Sequence, residues 1–167
     1  GTAESSVCLW DLRNGRIIQQ LDGHEHGVGA LAFSPDGSIL ASGDNGHRIR
    51  LWHTGTRGSA GQLLATREGH RREIGALAFS PTGDRLASGS HDGLIYLWDL
   101  NLAGEFNMLS GDWLTLSGHS GIIRALRFHP HPTHALLLAT ASSDRTVRLW
   151  SSTGELRHTL MGHSHEA

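Results

Sequence analysis

GALAFSPTGDRLASGSHDGLIYLW, residues 75–98, decides the fold. An apolar run, Ile74–Phe79, stops at Ser80-Pro81-Thr82-Gly83, where Pro and Gly set a tight turn and end a strand ladder. A second run, Leu86–Ser88, ends at the polar turn His91-Asp92-Gly93, and a third, Leu94–Trp98, is rich in large and β-branched residues. Three short strands with two tight turns, and no helical periodicity, read as an antiparallel sheet. Outward from this stretch, Gly69-His70 precedes it and Trp113–Leu116 supplies a weaker fourth run after it.

The same pattern recurs on both sides. GALAFSPDGSILASGDNGHRIRLW (Gly29–Trp52) superimposes on it residue for residue, and RALRFHPHPTHALLLATASSDRTVRLW (Arg124–Trp150) does so more loosely. Gly23-His24, Gly69-His70, Gly118-His119 and Gly162-His163 alternate with Trp10, Trp52, Trp98 and Trp150; successive Gly-His steps are 46, 49 and 44 residues. A period of this size marks a repeat array. The remaining strands are Val28–Phe33, Ile39–Ser42, Arg48–Trp52, Leu136–Thr140 and Thr146–Trp150, with fourth runs at Ile17–Leu21, Leu63–Thr66 and Arg157–Leu160. Apolar residues on both sides of the pleat fit sheets sandwiched between neighbouring sheets. The units divide as 1–22 (the last strands of a partial blade), 23–68, 69–117, 118–161, and 162–167 as the start of another. Residues 101–112 form a long connection and Thr54–Gly61 a Gly-rich one.

Composition bounds the function. The chain has 167 residues, a net charge of −2 and few aromatics, a balance that supports neither a basic nucleic-acid stripe nor an acidic disordered tail. All 14 basic residues are arginine. One cysteine, Cys8, cannot form an internal disulfide, so a reducing, cytoplasmic setting is expected. No apolar run is long enough for a spanning helix, and neither a membrane nor a nucleic-acid partner is expected.

These residues resemble the WD40-repeat family of β-propellers. The resemblance rests on Gly69-His70, Asp92 and Trp98-Asp99 in the best unit, on Gly118-His119, Asp144 and Trp150 in the third, and on Trp10-Asp11; Trp52 is followed by His53 and Trp150 by Ser151. It implies an all-β fold, a propeller segment of four-stranded antiparallel blades, in three full repeats plus a partial one. It also implies a buried network of His, Ser or Thr, Asp and Trp in each blade. Carried over, the second blade supplies His70, Ser88, Asp92 and Trp98, and the third His119, Thr140, Asp144 and Trp150. The first has His24, Ser42 and Trp52, but Gly46 stands at the Asp position with Asp44 two places early, and Glu4 stands there in the partial unit. Those two blades are therefore expected to hold their networks loosely or not at all, and Asp92→Ala to destabilise more than Asp44→Ala.

Other readings compete for the same residues. Ser, His and Asp together invite a hydrolase triad, but a serine inside a strand has neither a nucleophile elbow nor an oxyanion hole. His24-x-His26, His129-x-His131 near His134, and His163-x-His165 have chelating spacing, yet no carboxylate or thiol recurs beside them; no metal and no cofactor is expected. The glycine-rich stretches lack the strand–loop–helix context of a phosphate loop, and there is no lysine. Cys8 aligns with Arg50, Tyr96 and Arg148, a position that reads as permissive.

Function is expected to be binding. The loops flanking each Gly-His place Glu25, His26, Arg71, Arg72, Glu73, His91, Ser120 and Ser143 on one rim. The reading is a non-catalytic scaffold or adaptor that contacts other proteins or the rest of the same propeller, with no small-molecule substrate. The alternative is a regulatory or sensor portion of a larger signalling enzyme, a kinase or nucleotide hydrolase. Typical rings have four to eight blades, and the chain starts partway through a unit without methionine. It is expected to be part of a longer, seven-bladed ring, and on its own to be insoluble or to self-associate through uncovered apolar faces.

Overall fold

A computed structural model of the chain describes residues 5–55, 61–100, 113–131 and 137–162. The long connection 101–112, most of the Gly-rich loop, Glu4, His134, His163 and His165 lie outside them. The described residues hold fourteen strands, all antiparallel, and no helix. Strands β1 (Val7–Asp11) and β2 (Arg16–Leu21) form a two-stranded pair. The first full blade is β3 (Val28–Phe33), β4 (Ile39–Asp44), β5 (Ile49–His53) and β6 (Leu63–Arg67), paired in that order. The second is β7 (Ile74–Phe79), β8 (Arg85–Ser90), β9 (Ile95–Asp99) and β10 (Trp113–Leu116), and the third β11 (Ile123–Phe128), β12 (Leu138–Ser142), β13 (Thr146–Trp150) and β14 (Leu156–Met161).

The turns are built locally. At Ser34-Pro35-Asp36-Gly37, the Gly37 N–H donates to the Ser34 carbonyl at 2.9 Å, and Ser34 Oγ accepts from the Ile39 N–H at 2.9 Å. Hydroxyls of Ser34 and Ser38 and the Ser38 N–H hold the Asp36 carboxyl down at about 2. Ser80 makes the same turn in the second blade, with Asp84 in the acceptor role. Gly37 and Gly83 have φ of 71° and 75°, the left-handed conformation that glycine adopts most easily.

The core lies between blades, in three layers. Val7 and Leu21 pack on Leu40 and Trp52; Ile49 and Leu51 meet Ile74, Leu86 and Trp98; Ile95, Leu97 and Leu116 meet Ile123, Leu138 and Trp150. This is why β5 and β9 are buried on both sides of the pleat. The outermost surfaces lack that cover: Leu31 and Phe33 are 53% and 56% exposed, whereas Leu77 at the Leu31 position in the second blade is 5% exposed. The backbone of one blade also touches the next. A methyl group added to Gly43 would stand 2.7 Å from Ile74 Cβ, and one added to Gly89 would stand 2.9 Å from Ile123 Cβ. Blade spacing is thus set by a glycine in the second strand and an isoleucine in the next blade's first strand. The third blade carries Ala141 at the glycine position.

Candidate functional site: buried networks beneath an open rim

Each full blade contains one continuous chain of hydrogen bonds. In the second blade Trp98 Nε1–H donates to Ser88 Oγ at 2.8 Å, Ser88 Oγ meets His70 Nε2 at 2.8 Å, and His70 Nδ1 meets Asp92 Oδ2 at 3.1 Å. In the third, Trp150 donates to Thr140 Oγ1 at 2.9 Å, and His119 bridges Thr140 and Asp144 at 2.8 Å each. The direction of the chain follows from what each group can do. Indole only donates, so the hydroxyl oxygen accepts from it and gives its proton to Nε2; that leaves Nδ1–H for the carboxylate, which only accepts. This order requires a neutral imidazole. Burial lowers the pKa of His24, His70 and His119, and the Asp partners only partly oppose it. Burial pushes the Asp92 and Asp144 carboxyls up, but donors reverse it: Arg71 N–H, Leu94 N–H and His70 at Asp92, and Thr146, His119 and Ser120 N–H at Asp144. Both end below the usual carboxylate range.

The first blade departs from the sequence expectation. Its network is complete, with shorter bonds: His24 Nδ1–Asp44 Oδ2 and His24 Nε2–Ser42 Oγ are each 2.6 Å, and Trp52 Nε1 donates to Ser42 Oγ at 2.7 Å. Asp44 ends strand β4 and is 1% exposed. Its second oxygen accepts the Arg48 N–H at 2.9 Å, the bond that Asp92 makes with the Leu94 N–H. The carboxylate reaches the same place from a residue two positions earlier, and Gly46 leaves room above it for the ring of His26.

The position shared by Arg50, Tyr96 and Arg148 is not permissive. Tyr96 stacks on His70 with centroids 4.1 Å apart. The Arg50 guanidinium lies against Gly23, where an added methyl would stand 2.8 Å from Nη1, and Arg148 does the same at Gly118. Gly23 and Gly118 have φ of 137° and 147°. A glycine precedes these histidines because the backbone is left-handed there and a side chain from β5 or β13 occupies the Cβ space.

Ser88, His70 and Asp92 reproduce the connectivity of a catalytic triad but not its access. Ser88 and Ser42 are 0% exposed and each hydroxyl already accepts an indole N–H, so no substrate carbonyl reaches them. Among the described residues no three His, Cys, Asp or Glu side chains converge as metal ligands, and the His129 and His131 rings are 5.8 Å apart.

The carboxylate end of every network opens onto one rim. There the loop before each first strand is tied to the turn between the second and third strands: Asn45 N–H to the Gly27 carbonyl, His91 N–H to Glu73, and Ser143 N–H to Ile122, at 2.9–3.0 Å. Ser143 Oγ accepts the Ile122 N–H, and Ser120 N–H donates to Asp144. Glu73 pairs with His91 at 2.6 Å, and Arg48 sits between Glu25 and Glu68 at 3.1 Å from each. Arg71 and Arg72 are exposed and make no ion pair among the described residues. Sequence reasoning missed Asn45, His47, Arg48 and Arg145, the other side chains of these turns.

A model of the WD domain, G-beta repeat, matches residues 15–53, 61–99 and 113–151. The chain belongs to the WD40-repeat family. Each matched repeat begins with the outer strand of one sheet (β2, β6 or β10) and continues through the first three strands of the next. Among its relatives, human WD repeat-containing protein 90 is 29% identical over 155 residues, covering 90% of this WD40 chain and 8% of that protein. Nuclear distribution protein PAC1 of Arthroderma benhamiae is 29% identical over 91% of the chain and 35% of its own length. Small ribosomal subunit protein RACK1y of Oryza sativa subsp. japonica is 42% identical over 52 residues, 31% of the chain and 16% of that protein. The chain thus spans well under two thirds of these relatives.

The networks make WD40 stability sensitive to acid. Because the folded-state pKa of His24, His70 and His119 is depressed below the ordinary 6.5, the unfolded chain takes up more protons as pH falls through that value. Stability is full above pH 6.5 and declines below it, by up to about 1.4 kcal/mol per pH unit for each histidine. Thermal melts from pH 8 to pH 5 should show this loss starting near 6.5. A melting temperature flat to pH 5 would mean that these imidazoles are protonated in the fold.

Proposed function

We propose that this WD40 segment is a non-catalytic scaffold whose rim of Glu25, His26, Arg71, Arg72, Glu73, His91, Ser120 and Ser143 contacts other proteins. The observation that carries it is the division of labour within each blade. The hydroxyl, imidazole and carboxyl groups that mimic a triad are buried and mutually bonded, while the turns above them hold exposed charged side chains on a rigid base. RACK1y is by its name a small ribosomal subunit protein, and a relative that belongs to such a subunit supports a scaffolding role for this sequence. We place its work in the cytoplasm; its single cysteine needs no oxidising compartment.

The rim reading is tested with the parent protein carrying Arg71→Glu, Arg72→Glu and Glu73→Arg together. Surface substitutions of this kind move stability by roughly 0.5 kcal/mol or less, so the melting temperature should hold while co-purifying proteins are lost. Retention of every associated protein by the triple variant would move the contact surface elsewhere.

A further inference from the structure

The charged side chains of the rim are not all matched to partners. Every described carboxylate at this end is already engaged: Asp22 by Gln20, Glu25 and Glu68 by Arg48, Glu73 by His91, and Asp44, Asp92 and Asp144 by the network histidines. The guanidiniums of Arg71, Arg72 and Arg145 make no ion pair among the described residues, whereas Arg48, Arg85 and Arg157 are paired. What the rim leaves open is cationic.

Two side chains of this rim, His47 and Arg145, are held there against steric preference. His47, Gly93 and Arg145 occupy one position in the three turns, with φ of 71°, 82° and 68°. Glycine takes this left-handed conformation freely, and a histidine or arginine does not. Neither the His47 nor the Arg145 side chain makes a hydrogen bond or ion pair among the described residues, so the fold gains nothing visible from keeping them. Side chains kept at a strained position without a bonding partner point to a task outside the fold. His47 also lines, with Arg72, Glu73 and His91, a cleft of about 210 Å³ between the first and second blades.

We propose that this end of the arc recognises an acidic segment of a partner protein, whose anionic side chains seat against Arg72 and His47 at the cleft, beside the Glu73–His91 pair, and extend to Arg145. Guanidinium groups suit this role because their fork of donors matches carboxylate and phosphate oxygens in pairs. The inference rests on the rim reading above and adds the chemistry of the occupant.

The test uses the parent protein on an array of heptapeptides in three series: rich in Asp and Glu, the same sequences with Asn and Gln, and versions carrying phosphoserine. A single-stranded oligothymidylate serves as a competing polyanion. At least tenfold stronger retention of an anionic series over the amide series is expected, and the preferred series tells sequence-encoded from phosphorylated acid. His47→Gly and Arg145→Gly copy the second blade's own residue, so they should keep or raise the melting temperature while weakening retention at least tenfold; Arg72→Glu should weaken it as much. Equal retention of the amide series, indifference to these substitutions, or preference for the oligothymidylate would overturn the proposal. If the Arg71/Arg72/Glu73 variant loses its associated proteins while the array shows no anion preference, the rim reading stands and this inference falls.

Discussion

Asp44→Ala is expected to lower stability by about 3 kcal/mol, the cost of stranding buried donors, and at least to match Asp92→Ala. The alanine would leave His24 Nδ1–H and the Arg48 N–H without acceptors, the first of them inside a pair whose side chains are 0% and 1% exposed. Asp92 accepts three bonds, but one comes from the exposed Arg71 N–H, which water can satisfy, and its bond to His70 is the longer by half an ångström. For a chain of this size, about 3 kcal/mol corresponds to a drop in melting temperature of roughly 6–12 °C. Paired melts of the two variants decide the matter. An Asp44→Ala shift less than half that of Asp92→Ala would restore the order that the aligned repeats imply.

Gly43→Ala and Gly89→Ala are the second pair of large effects, and they act on blade spacing, not on polar satisfaction. Both glycines have ordinary backbone angles, so neither needs glycine for its own conformation; the constraint is the neighbouring blade's isoleucine. Inserting a methyl there should cost about 1–3 kcal/mol, as overpacked cores do. Shortening the neighbour should recover most of it: Gly89→Ala combined with Ile123→Ala is expected to be less destabilising than the two single losses added together. Additive losses in that double-mutant cycle would show that the sheets shift freely and that the glycine–isoleucine contact does not set their distance.

Much of this architecture was legible in the residues. Val28–Phe33, Ile74–Phe79, Trp113–Leu116 and Thr146–Trp150 are strands with the bounds that the turn residues imply, because Pro, Gly and Asp leave the chain little choice there. The Trp–hydroxyl–His chain was legible for the same reason: Ser42, Ser88 and Thr140 stand ten residues before their tryptophans, and the strand pairing carries that spacing through. Asp44 was not legible, because alignment compares positions whereas a hydrogen bond needs only an oxygen in the right place. Its carboxylate bonds the N–H four residues on, that of Asp92 the N–H two residues on, and the two turns deliver the acceptor to the same imidazole nitrogen. The strain at His47 and Arg145 was hidden too, since nothing in the identity of either residue announces a positive φ. The pairing of Glu73 with His91 joins two separate turns, and only the folded backbone brings them together.

The one-strand offset between matched repeat and sheet has a consequence for how such arrays grow. A block such as 61–99 ends one leaf and begins another, so no block completes a sheet by itself. Excising it in frame would join β5 to β10 through the flanking linkers, and the new seam would still contain four strands in the usual order. Tandem duplication would likewise add a whole leaf without leaving an orphan. Gene-level copying errors of this length therefore preserve sheet completeness and alter only the number of leaves, which can drift while each remains intact.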